Sequence, residues 1–204
     1  MRAKPLAARC NILPEPRFAP LKSILLERLG QIGAAIQPEN FCSLLDALMR
    51  EVLQQAFADA GADEGSVWLL DDAAEHLIIA HNTGPNASRV VGQFKQPVHS
   101  GLIGMVFASE QPFIENEVYK NSRQNKTLDE LLSCRTSALL AAPFYFLDAC
   151  RGIVSAVQLE QPDSPETRDG FDPDHLAAVQ RASALLGRLI EFRLLSDTVG
   201  WSRE

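Results

Sequence analysis

The chain predicts an α+β fold: a central antiparallel sheet of about six strands, with helices at both ends of the chain. Three observations carry this. Two amphipathic segments precede every strand-like run, short apolar runs are paired across polar turns, and a strongly capped helix start follows the last run. A chain of 204 residues with 46% hydrophobic residues is long enough to close one substantial core.

Residues 1–20 carry Pro5, Pro14, Pro16 and Pro20 and read as an extended arm. Leu25, Leu29, Ile32 and Ile36 repeat at helical spacing and predict an N-terminal helix over residues 21–37. After Pro38, Asn40 is a capping residue, and Phe41, Leu45, Leu48, Val52 and Ala56 predict a second helix ending near Gly61. Ser66–Leu70 and Leu77–Ala80 flank the polar turn at 71–75 and predict an antiparallel pair. Val90–Val98 predicts a third strand from its β-branched and aromatic content.

Ser100 can cap a short helix through Phe107, and Pro112 then leads into the brief strand Phe113–Ile114. Residues 115–135 are mostly polar, with Leu128, Leu131 and Leu132 suggesting a short helical turn, and form a long excursion of the kind that covers binding sites. Ser137–Phe146 and Gly152–Leu159 predict two more strands joined by a turn at 147–151. Asp172 and Pro173 open the last helix, whose apolar face runs to Leu195 and spans roughly 35 Å. That exceeds what a short sheet needs for cover, and predicts a homodimer through the terminal helices, with Leu189→Glu as its test.

The net charge of −7 and the absence of a basic cluster exclude broad attraction to nucleic acid. No stretch approaches the roughly 20 apolar residues of a membrane helix, and the N-terminus has no signal-peptide pattern, so the expectation is a cytoplasmic protein without membrane contact. Cys10, Cys42, Cys134 and Cys150 are widely separated and read as free thiols.

In order along the chain, Gly65–Asp71, Gly101–Val106, Gln111–Ile114, Arg135–Pro143, Gly152–Leu159 and Phe171–Leu176 together resemble the GAF domain, a sensory fold of signalling proteins. The resemblance covers residues 38–198, terminal helices included, and leaves 199–204 as a tail. It implies terminal helices on one face of the sheet and a ligand pocket or loop region on the other, roofed by the helix near Gly101 and the long excursion. Trp68 is then expected in the floor, and Gly101, Leu102, Asn116, Asp129 and Thr136 in the walls. Gly101 and Gly104 permit either close approach of a ligand or tight packing of the short helix.

In cyclic-nucleotide-binding members an aspartate and two threonines line the ligand; the matching positions here are Asp129, Leu132 and Thr136, and Leu132 departs from that pattern. Bilin-binding members need a histidine close after a cysteine, which Cys134-Arg135-Thr136 lacks. Haem-binding members use a pocket histidine; His81 and His99 are the candidates, and both read better as solvated loop residues. Some free-standing members reduce free methionine sulfoxide, so Cys134 beside Arg135 is the one residue to weigh for redox chemistry. No catalytic constellation, metal site or cofactor emerges from the sequence. The expectation is a non-enzymatic module that senses a small molecule and acts through its flanking helices on a partner signalling protein. The alternative is a ligand-free interaction subunit with a degenerate pocket.

Overall fold

The computed structural model describes residues 16–160 and 169–201. Most of the expected N-terminal arm and of the loop at 161–170 lies outside the described residues. The end of that arm, Pro16–Leu21, is a 3-10 helix instead of extended chain and runs into α1, Lys22–Ala34.

The expected second helix is two helices, α2 (Pro38–Leu44) and α3 (Ala47–Asp59). The break falls where Leu45 turns extended and the Asp46 carboxylate accepts the Met49 N–H at 2.9 Å, restarting the helix. The buried face is therefore Phe41, Leu45, Met49, Leu53 and Phe57, while Leu48 is exposed. Asn40 acts one step differently from expectation: Gln37 is the N-cap, and Asn40 reaches back to its N–H in a capping box.

Six strands follow: β1 (Glu64–Leu70), β2 (His76–Asn82), β3 (Lys95–Pro97), β4 (Phe113–Glu115), β5 (Thr136–Phe146) and β6 (Ala149–Leu159). They form one antiparallel sheet in the order β3-β2-β1-β6-β5-β4. The β1–β2 turn is organised by Asp71, whose Oδ1 accepts the N–H groups of Glu75 and His76. The β5–β6 turn is tighter than expected, with only Leu147 and Asp148 between the strands and both in the left-handed region.

The predicted third strand is the largest departure. Residues from Ala87 to Val90 form a short helix, α4, and Gly92 at φ +70° reverses the chain before the three-residue β3. Val90 and Val98 are buried packing groups that lie outside β3.

A bulge between β1 and β2 pairs Val67 with His81 but Trp68 with Ile79, so Ala80 is the extra residue. Ala80 joins the core under the helices, and the phase of β2 reverses beyond it.

Each face of the sheet has its own core. One packs Phe41, Leu53, Val67, Phe144 and Val154 against Leu186 and Ile190 of α7, Pro173–Val199. That helix has 27 residues, is capped by the Asp172 carboxylate on the His175 N–H, and ends at Gly200, φ +74°. At its middle a Cβ on Gly187 would collide with the Tyr145 carbonyl oxygen, so helix and strand meet backbone to backbone there. Ser183 donates to the Pro143 carbonyl at 3.1 Å one turn away. The other core gathers Trp68, Leu77, Ile79, Phe94 and Leu139 beneath α5 (Gly101–Ser109) and α6 (Thr127–Leu132). This is the two-faced arrangement that the resemblance implies.

Candidate functional site

Between the sheet and the α5–α6 cover lies a cavity of about 90 Å³. Period-2 alternation aims Glu64, Ser66 and Trp68 of β1 at it, and the bulge turns Asn82 of β2 the same way. Ser155 and Val157 of β6 and Thr136 and Leu139 of β5 complete the floor. Leu102 and Ile103 of α5, Leu128, Asp129 and Leu132 of α6, and Gln96, Gln124 and Asn125 close it from above.

Of the residues expected here, Trp68, Leu102, Asp129 and Thr136 line the cavity. The Trp68 indole N–H donates to the Ser155 hydroxyl at 3.0 Å, and its ring meets Phe94 edge to face. Gly101 opens α5 at φ +67° with Asn125 against it, a turn that a Cβ would strain, and is not itself in the lining. A Cβ on Gly104 would sit 2.5 Å from the Val98 carbonyl oxygen, so that glycine permits tight packing of the helix.

Asn116 is not in the wall. Its amide donates to the Phe171 carbonyl at 2.9 Å and accepts the Phe171 N–H at 2.8 Å, clamping the start of the excursion to the entry of α7. Glu64, Asn82, Gln96 and Gln124 escaped the sequence reading. Counting back in twos from Trp68 gives Glu64, so an available signal lay two residues before the apolar run began.

Asp129 and Thr136 are bonded to each other. The Asp129 carboxylate accepts the Thr136 N–H at 2.9 Å, the Thr136 hydroxyl at 2.8 Å and the Gln124 amide at 3.0 Å, so it fastens α6 and the preceding loop to the head of β5. Removing it leaves buried donors at Thr136 without an acceptor. Asp129→Ala should cost about 1–3 kcal/mol in urea denaturation. A loss within error of zero would show that the cover does not depend on this latch.

The Cys134 thiol is pushed up from its ordinary pKa by burial, and the Asp129 and Glu64 carboxylates add to the shift. Arg135 does not offset this: its guanidinium stacks 4.3 Å from the Tyr119 ring centre and pairs with Glu160 at 3.2 Å. The surroundings thus favour the neutral thiol, the reverse of an activated cysteine. Cys42 and Cys150 are free thiols too. His81 lies beyond the bulge, on the helix side near Arg50, and His99 is exposed; neither lines the cavity. Among the described residues no cluster of His, Cys, Asp and Glu could hold a metal ion, and no helix is long and apolar enough to cross a membrane.

A larger open groove of about 470 Å³ runs on the other face between α7 and β5. Its lining includes the polar residues Asp148, Gln180, Arg188 and Glu191, and the Tyr145 hydroxyl donates to Glu110 there at 2.7 Å. Burial and that carboxylate push the phenol pKa up to about 12.

The fold is similar to several solved GAF domains. One, from an Acinetobacter phosphoenolpyruvate-protein phosphotransferase, is 18% identical with a TM-score of 0.55, over 89% of this chain and 98% of that one. The GAF-B domain of DevS from Mycobacterium smegmatis is 21% identical with a TM-score of 0.54, over 76% and 96%. A GAF domain/HD domain protein from Geobacter sulfurreducens is 17% identical with a TM-score of 0.52, over 74% and 95%. No curated protein matches the chain significantly in sequence. The sequence model described as GAF domain matches residues 42–191, which run from α2 through most of α7 and include every strand. On that match, with the two-faced sheet and its covered cavity, the chain belongs to the GAF domain family.

Proposed function

We propose that the chain is a non-catalytic regulatory module that senses a small molecule in the α5–α6 cavity and passes its occupancy to a partner signalling protein through α7. The Asn116–Phe171 clamp carries this reading, because the excursion that covers the cavity is hydrogen-bonded in both directions to the start of the longest helix. A ligand that prefers one position of the cover then biases one position of that helix. Native mass spectrometry of the purified protein, joined to a thermal-shift screen of amines, amino acids, carboxylates and cyclic nucleotides, tests it. A ligand at 100 times its Kd should add about 2.7 kcal/mol of stability. If the protein carries no molecule and no compound shifts its melting, the sensing reading fails.

A second reading, an interaction subunit with a degenerate pocket, is favoured by the cavity's small volume of about 90 Å³; sites for drug-sized ligands are roughly 300–1,000 Å³. Both readings use the outer face of α7. Leu185, Phe192 and Val199 recur at heptad spacing with Leu195 between them, all on the side turned away from the sheet and all exposed. We assign this stripe as the homodimer surface. Leu189 is a poor probe of it, because it packs partly against the core of its own subunit. Phe192, 67% exposed, is the better one. Phe192→Glu should raise the dimer Kd at least tenfold, about 1.4 kcal/mol, in sedimentation at micromolar concentration while leaving the fold intact. A parent protein that sediments as a monomer would end the dimer proposal.

A further inference from the structure

We infer that the cavity takes a small organic cation, an ammonium-bearing molecule of a few heavy atoms, with Glu64 as its counter-charge. This rests on the sensing reading above. Glu64 is only 8% exposed, lies on the cavity floor, and among the described residues its carboxylate has one hydrogen bond, from Asn82 at the outer limit of 3.5 Å. Gly84 backs the carboxyl so closely that a Cβ there would collide with it, which leaves the cavity as the open side. No lysine, arginine or histidine lines the cavity among the described residues. A buried carboxylate without a cation is costly, and a ligand cation supplies what the chain does not.

The hydrogen-bond inventory points the same way. Each side-chain nitrogen in the lining already donates inside the protein: Trp68 to Ser155, Asn82 to Ser66, Gln96 to the Ser100 carbonyl, Gln124 to Asp129, and the remaining amide to Ser100. Acceptors are left over. Gln124 Oε1 is buried in the lining without a partner, in addition to the Glu64 carboxylate. A buried acceptor without a partner beside a carboxylate without a cation favours a ligand that donates N–H bonds, although the Ser66 and Ser155 hydroxyls, which accept from Asn82 and Trp68, keep their own protons to donate. An anion would meet two carboxylates, Glu64 and Asp129, with only neutral donors, the Ser66 and Ser155 hydroxyls and amide N–H groups, and no cation to offset them.

The protein contains two tryptophans, one in the cavity and one, Trp201, 75% exposed at the end of α7, so the two indole N–H signals report the site and a control. Ethylammonium, propionate and propanamide are titrated at matched salt into the full chain and into Glu64→Gln, following both signals by NMR. Ethylammonium should move the Trp68 signal saturably and leave Trp201 still, propionate should move neither signal, and Glu64→Gln should weaken ethylammonium at least tenfold with an otherwise native spectrum. Propionate or propanamide binding at Trp68 as tightly as ethylammonium overturns the cation assignment while the sensing reading stands. So does an unchanged affinity in Glu64→Gln. If none of the probes moves Trp68, the cation assignment is overturned, and the retained-ligand measurement above then decides the sensing reading separately.

Discussion

Phe144→Ala should remove about 3–5 kcal/mol of stability, the larger part of what a domain of this size possesses. Phe144 is fully buried and stands at the centre of an aromatic group, edge to face with Phe41 at 6.2 Å and tilted against Phe146 at 5.4 Å. It joins α2 to β5 and also lies beneath the point where α7 touches the sheet at Gly187. Truncation therefore opens a void bordered by three elements that cannot all move inward, because the backbone contact at Gly187 already fixes helix and strand. At about 2–4 °C per kcal/mol for a chain of this length, calorimetry should record a drop on the order of 10 °C. A loss below about 1 kcal/mol would mean that the aromatic group collapses without penalty, contrary to the packing described.

Acid should weaken the fold through His81. Burial first and the Arg50 guanidinium second lower its pKa from 6.5 to about 4. Arg50 is held in place by the Cys42 and Leu45 carbonyls, which accept from it at 2.7 and 3.0 Å. Between those two pKa values the unfolded chain binds a proton that the native state refuses. The contribution is complete above pH 6.5 and is lost as pH falls toward 4. At pH 4.5 the loss relative to neutral pH is about 2.5 kcal/mol. Urea denaturation of the parent and of His81→Gln at both pH values isolates this group from the carboxylates, which titrate in both proteins. Identical losses in the two proteins would refute the assignment.

Sequence reading succeeded where one local signal decided the structure. Asp172-Pro173 sets the start of α7 by its own chemistry, and the polar residues at 71–75 could only be a turn. It failed where two local signals competed. Phe41, Leu45 and Leu48 fit one continuous helix as well as Phe41, Leu45 and Met49 fit two, and the Asp46 cap decides between them. Val90–Val98 has strand composition, but Gly92 and the turn of helix before it consume the length a strand would need.

For the site, it was the family resemblance that placed Trp68 in the floor and Leu102 and Asp129 in the walls, and all three line the cavity. The polar lining was harder to see. Asn82 reaches the cavity only because of the bulge at Ala80, and no composition rule places a bulge. Asn116 was expected in the wall because the excursion had to close over something; its amide instead closes the excursion onto Phe171.

The contact at Gly187 has a mechanical consequence. It falls near the midpoint of a 27-residue helix, so backbone touches backbone at one point and side chains hold the rest. A rod seated in this way pivots more readily than it slides. At 1.5 Å per residue the helix is about 40 Å long, and a tilt of about 5° about its centre moves each end by about 1.7 Å, in opposite directions. Asn116 grips the chain just before one end, while Phe192 and Val199 ride on the other arm. A small lift of the cavity cover would thus reappear as a lateral step of the outer stripe, and Gly187→Ala, by wedging the fulcrum, would uncouple the two arms.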